Sequence, residues 1–155
     1  MKKLWQKFKK LIIKIAAPLL SGTVIGLVTK SSIYKLMNKP TFSPPGFVFP
    51  IVWTILYVLM GISSYLVDKS VDVNKDKALK IYYAQLIMNL IWPILFFNFK
   101  LYFVSFLWII ALVGVVSYMI VNFYKVDKKA AYLQLPYLFW IIFASILNYY
   151  IYLYN

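Results

Sequence analysis

The chain has 155 residues, 63% hydrophobic and 20% aromatic, and a mean hydropathy of +0.77. An ordinary soluble domain holds roughly 45–50% apolar residues, so this composition argues strongly against a free-standing soluble protein. All 17 basic residues are lysine, and against them stand four aspartates and no glutamate, for a net charge of +13. The lysines sit in short clusters between long apolar runs rather than on one polar surface, so a nucleic-acid partner is not expected. Zero Cys and zero His remove disulfides, thiolate nucleophiles, His-based triads and most zinc sites, and no metal site is expected.

A transmembrane helix needs about 20 mostly apolar residues to cross a hydrocarbon core of about 30 Å. Five runs meet this, at roughly 11–29, 47–67, 79–98, 101–124 and 132–153. They predict an all-α integral membrane protein, a five-transmembrane-helix bundle over residues 11–155 preceded by a basic amphipathic segment, residues 1–10. In that segment Leu4, Trp5, Phe8 and Leu11 share one helical stripe beside five lysines, a pattern suited to an anionic membrane surface. It reads as a retained segment rather than a cleaved signal, because the apolar run is long and no small-x-small site precedes a mature start.

The first span contains Lys14, whose methylenes can stay in apolar surroundings while the ammonium returns to the interface. Its Gly22 and Gly26 form a GxxxG pair, which serves either packing within the bundle or dimerisation. The 18-residue connection from Thr29 to Gly46 is long for a compact fold and carries the turn-rich stretch KPTFSPPG, the mark of a lid or binding element. In the second span Trp53, Tyr57, Met60 and Ser64 lie on one face. In the third, Gln85, Asn89, Trp92 and Phe96 do so, and mid-membrane amides must face protein or a cavity. The fourth span offers Trp108, which shares no face with an amide and reads as packing or interface. In the fifth, Tyr137, Trp140, Ala144 and Asn148 form a stripe, followed by belt tyrosines Tyr149, Tyr150, Tyr152 and Tyr154. Asn89 and Asn148 serve either as interhelical glue or as site residues. Pro50, Pro93 and Pro136 fall inside spans two, three and five, where each can kink its helix and open space. Short connections at Lys100 and from Lys125 to Ala131 make spans three, four and five successive antiparallel neighbours.

Three inward faces, each with a large aromatic and a small or polar group, suit a flat, amphipathic, aromatic ligand. With the N-terminus inside, 12 lysines fall on the cytoplasmic side and 4 on the other, which predicts a cytoplasmic N-terminus and an outside C-terminus, expected in a bacterial plasma membrane. No phosphate-binding loop, dinucleotide fingerprint or intramembrane acid is present, so general acid-base catalysis, proton pumping and ion conduction are not expected.

The stretch KPTFSPPGFVFPIVWTILYVLMGISSYLV resembles the signature of the translocator protein family, also called tryptophan-rich sensory proteins or peripheral-type benzodiazepine receptors. NLIWPILFF (Asn89 to Phe97) and LPYLFWIIFASILNYY (Leu135 to Tyr150) agree with it in order. The resemblance covers about residues 16–155. It implies a five-helix bundle, commonly a homodimer, with a pocket under the first loop that takes a porphyrin, protoporphyrin IX or haem, as ligand and requires no cofactor. Carried over by position, its pocket residues fall on Trp53, Trp92, Trp140 and Asn148, with the loop at Phe42, Pro44 and Pro45. Tyr57, Asn89, Tyr137 and Ala144 complete the candidate ligand-binding set. Phe42 stands where the family commonly has Trp. The family's sterol pattern requires a basic residue after the LNY motif, and Leu147 to Asn155 contains none.

The resemblance implies a tetrapyrrole-binding receptor or sensor. The alternatives are light-dependent oxidative degradation of protoporphyrin, with Trp53, Trp92 and Trp140 as catalytic candidates, and a transporter or accessory subunit for tetrapyrrole or sterol-like ligands.

Overall fold

The computed structural model describes Met1–Asn155 as an all-helical chain. Its helices are α1 (Lys2–Val28), α2 (Val48–Asp68), α3 (Lys75–Pro93), α4 (Tyr102–Val126), α5 (Lys128–Tyr132) and α6 (Leu135–Tyr154). A π-helical stretch, Ile94–Asn98, extends α3, and α5 with α6 makes up the fifth long apolar segment. Five segments are thus long and apolar enough to cross a membrane, as the apolar runs require.

The basic segment and the first span form one helix. Lysine is a good helix former, and nothing between Lys2 and Val28 stops the helix. Pro18 lies inside α1 and is its one buried residue, so most of α1 faces outward.

Two of the three prolines expected inside spans lie instead at helix starts. Pro50 and Pro136 sit in the first turns of α2 and α6, where a missing N–H costs no helical hydrogen bond, so neither kinks its helix. Pro136 instead separates α5 from α6, because it has no N–H to continue the helix across Leu133 and Gln134. Pro93 is internal to its segment, and the wider π turn follows it directly.

α1 packs chiefly along α2, while α4 is flanked by α3 on one side and α6 on the other. The turn between the π stretch and α4 is tight enough that Lys100 adopts a left-handed backbone, φ 53°. At the lysine-rich end, Lys10 Nζ lies 2.9 Å from an Asp68 carboxylate oxygen. Lys14 reaches the same end, donating to Tyr83 Oη at 3.0 Å. At the opposite end, Asn98 Oδ1 accepts from Lys30 N at 2.8 Å and Asn98 Nδ2 donates to the Val28 carbonyl at 3.2 Å.

Gly61 sets the α1–α2 approach. A Cβ there would fall 2.7 Å from the Lys14 carbonyl oxygen and 2.9 Å from Ile15 Cγ1. That carbonyl is the one left without a helical donor by Pro18, four residues on, so proline and glycine act as a matched pair. Gly61→Ala must push α1 away and is expected to lower stability by about 1–3 kcal/mol. Gly114→Ala, where a Cβ meets nothing within 4 Å, is expected to leave it unchanged or slightly raised. Thermal unfolding of the two purified variants in detergent checks this.

Candidate functional site

The main cavity, about 660 Å³, opens between the second half of α1, the first loop, the start of α2 and the end of α3. Trp53, Tyr57 and Phe49 line it from α2, Trp92 and Phe97 from α3 and its extension, and Gly22 and Gly26 from α1. Trp53 stacks on Tyr57 with ring centroids 5.5 Å apart and meets Tyr137 edge-on at 6.2 Å. Trp92 stacks on Phe96 at 5.0 Å. The wall is therefore a rigid aromatic surface rather than a collection of mobile side chains.

Its rigidity comes from hydrogen bonds below it. Tyr57 Oη donates to Asn89 Oδ1 (2.9 Å), Asn89 Nδ2 donates to Tyr137 Oη (2.9 Å), and Tyr137 Oη donates to Gln85 Oε1 (2.8 Å). This chain joins α2, α3 and α6 away from bulk water. A second node fixes the Trp92 indole, whose Nε1 donates to Asn148 Oδ1 at 3.0 Å. Asn148 Nδ2 in turn donates to the Tyr102 carbonyl at 2.8 Å. Both asparagines are buried and act as interhelical glue that also orients the aromatic wall.

Gly22 is required by the Tyr57 ring. A Cβ on Gly22 would lie 2.6 Å from Tyr57 Cζ, and the bond to Asn89 prevents the ring from moving aside. No side chain lies within 4 Å of where a Gly26 Cβ would stand, and Gly26 leaves the cavity wall open. Gly22 of the GxxxG pair thus serves packing within the bundle, and Gly26 lines the cavity.

The first loop is held at both ends. Tyr34, buried against Phe49 at 5.0 Å, donates to the Pro44 carbonyl at 3.1 Å. Its burial raises the phenol pKa, so Tyr34 stays a neutral donor. Lys39 Nζ donates to the Tyr34 carbonyl at 2.6 Å and lies over the same ring. Asn38 and Asn155 exchange hydrogen bonds, Asn38 N to Asn155 Oδ1 (2.9 Å) and Asn155 Nδ2 to the Asn38 carbonyl (3.0 Å), tying the loop to the end of α6. Lys35 is exposed and lines the cavity, so it is the loop lysine positioned to meet an anionic group there.

Of the residues singled out from sequence, Trp53, Tyr57 and Trp92 line the cavity, while Asn89, Tyr137 and Asn148 are buried behind its wall. Trp140 stands elsewhere. It packs on Phe49 at 5.8 Å and Phe143 at 5.6 Å, and Phe49, not Trp140, lines the cavity there. Phe42 leans on Phe143 at 6.4 Å, on the Trp140 side, and Ala144 is buried in the core. The carbonyls of Pro44 and Pro45 accept from Tyr34 and from Val48 N, shaping the loop and starting α2. Trp108 braces α4 to α3, donating to the Met88 carbonyl at 2.8 Å.

Sequence reasoning missed Phe49, Phe97 and Lys35 in the wall. The first two lie among many phenylalanines, with no periodic signal to distinguish them. Chemically the cavity offers π surfaces, one nearby cation and no carboxylate or imidazole, an arrangement suited to holding a flat apolar ring system rather than to acid-base chemistry.

Comparison with known proteins agrees with this architecture. The model of the TspO/MBR family matches residues 14–153. The chain is 39% identical over 149 residues to the tryptophan-rich protein TspO of Archaeoglobus fulgidus, covering 94% of this chain and 97% of that one. It is 31% identical over 145 residues to the tryptophan-rich sensory protein of Cereibacter sphaeroides, covering 94% and 89%. Against the human translocator protein it is 36% identical over 119 residues, covering 75% and 70%. With a family match across nearly the whole chain and five membrane spans, this integral membrane protein belongs to the TspO/MBR family.

Proposed function

We propose that the protein is a membrane-embedded receptor that binds a tetrapyrrole in the cavity between α1 and α2. The observation that carries this reading is the wall itself. Within a volume in the range of small-molecule pockets, Trp53, Trp92, Phe49 and Phe97 present aromatic surface with the Lys35 ammonium nearby. A porphyrin has the matching halves, an extended apolar ring and anionic propionates. Stacking holds the first and charge attraction the second. The loop latched by Tyr34, Lys39 and Asn38 must loosen to admit so large a ligand.

With no His or Cys in the chain, imidazole and thiolate ligation of haem iron is not available, and the hydroxyls of the cavity tyrosines Tyr34 and Tyr57 are engaged with the Pro44 carbonyl and Asn89. Metal-free protoporphyrin is therefore expected to bind at least as tightly as haem when Trp quenching is titrated in the dark. Trp53→Ala is expected to weaken binding about tenfold, or about 1.4 kcal/mol. Lys35→Gln should weaken it mainly at low salt. Much tighter haem binding with a six-coordinate spectrum, or an unchanged affinity in Trp53→Ala, contradicts the proposal.

One arrangement favours a second activity, light-dependent oxidation of the bound porphyrin. Dioxygen is the oxidant this activity requires: the photoexcited porphyrin takes an electron from Trp53, passes it to dioxygen and is attacked by the reduced oxygen formed, while Tyr57 and Tyr137, packed against Trp53, give an electron back to the oxidised indole. Under illumination, porphyrin absorbance should fall in the wild type and persist in a Trp53→Phe, Trp92→Phe variant that still binds in the dark. Equal bleaching in that variant or in empty detergent removes this activity.

We also propose a cytoplasmic N-terminus in a bacterial plasma membrane, a homodimer, and docking of residues 1–10 on the anionic inner leaflet. Support for the orientation is the gathering of twelve lysines at the end of the bundle where α1 starts and α2 stops. Because the chain has no cysteine, single-cysteine labelling tests it cleanly. Ser70→Cys should react with an impermeant reagent only after the cells are opened, and Ser32→Cys in intact cells. The reverse pattern overturns the orientation.

A further inference from the structure

The interior holds a second set of polar side chains that the cavity wall does not use. The donor chain from Tyr57 runs in one direction and ends at Gln85, whose Oε1 accepts from Tyr137 while Nε2 is buried without a partner. Tyr82 on α3 and Gln134 at the head of α6 each lie three residues, about 4.5 Å, nearer the lysine-rich end than Gln85 and Tyr137. Both are almost fully buried, at 1% and 0% exposure. Tyr82 Oη and both polar atoms of the Gln134 side chain have no partner. Ser64 of α2 shares this level. It follows Tyr57 by seven residues just as Tyr82 precedes Asn89 by seven, and Tyr57 and Asn89 are bonded to each other. Ser64 is buried, and its Oγ donates to the Gly61 carbonyl at 3.0 Å, which leaves its lone pairs free.

Three segments, α2, α3 and the head of α6, thus direct polar atoms into one layer, those of Tyr82, Gln85 Nε2 and Gln134 without a partner. Buried polar groups in native proteins are satisfied almost without exception, and where side chains do not reach one another ordered water does so, with about three hydrogen bonds per molecule. We propose that the layer bounded by Ser64, Tyr82, Gln85 and Gln134 is a binding site for ordered water. The water accepts from Gln85 Nε2 and bridges to Gln134 and Tyr82. It thereby extends the Tyr57–Asn89–Tyr137–Gln85 chain from the cavity to within a short distance of the lysine-rich face. The site does not depend on what the cavity binds.

Thermal unfolding of the wild type, Gln134→Leu, Tyr82→Phe and the double variant tests the proposal. A hydrated layer predicts that Gln134→Leu displaces the water, strands the Gln85 and Tyr82 polar atoms, and lowers the Tm by about 5 °C. Adding Tyr82→Phe then costs less than it does alone, because its partner is already gone. A dry layer predicts the opposite, a Tm unchanged or raised by Gln134→Leu and additive effects, and overturns the proposal. Should Gln134→Leu fail to fold, a high-resolution crystal structure of the wild type decides. Ordered solvent within hydrogen-bonding distance of Gln85 Nε2 and Gln134 supports the site, and direct side-chain pairing with no solvent overturns it.

Discussion

Inside a bilayer, a buried polar side chain has no bulk water to turn to, so tyrosine hydroxyls and amides in the core must pair with one another or with individually held water. The Tyr57–Asn89–Tyr137–Gln85 chain is how this bundle meets that requirement, and much else follows from it. Because Tyr57 is held by Asn89, its ring cannot yield, and α1 can lie against it only with glycine at position 22. Because Tyr137 is held from both sides, it gives Trp53 a fixed edge to pack on. The interaction that solves a membrane-protein packing problem therefore also fixes one wall of the cavity. Each bond of this kind contributes modestly in membranes, roughly 1 kcal/mol, and the joint effect is conformational definition more than stability.

The opposite wall obeys a different logic. α1 is mostly exposed, and its close contact with α2 is concentrated where Pro18, Gly22 and Gly61 remove bulk. Beyond Gly22 the two helices leave room between them, and the first loop covers that room. Tyr34, Lys39 and the reciprocal Asn38–Asn155 pair hold the loop by a handful of hydrogen bonds near the bundle's end. Bonds in such wet surroundings are cheap to break and re-form. A rigid aromatic floor under a weakly latched loop is a reasonable construction for admitting and then enclosing a flat ligand.

Much of the fold was legible in the sequence, because bilayer thickness demands apolar runs of a certain length and buried amides must recur at helical spacing to share a face. The inward stripes of spans two, three and five were readable for that reason, and Gln85, Asn89 and Asn148 are indeed buried. Helix starts were not readable to the residue, so Pro50 and Pro136 were expected to kink helices whose first turns they occupy. The division of the aromatics was not readable either. Trp53, Trp92 and Trp140 all face inward, but periodicity reports a direction and not a neighbour, and it is Phe49, not Trp140, that lines the cavity there. The Asn38–Asn155 latch joins residues 117 apart in sequence, beyond any local pattern.

The account rests most heavily on the assignment of the cavity between α1 and α2 as the tetrapyrrole site. A crystal structure with protoporphyrin bound tests this most directly. The macrocycle should lie against Trp53 and Trp92 with a propionate toward Lys35. A macrocycle seated on Trp140 or on the outer surface of the bundle contradicts it.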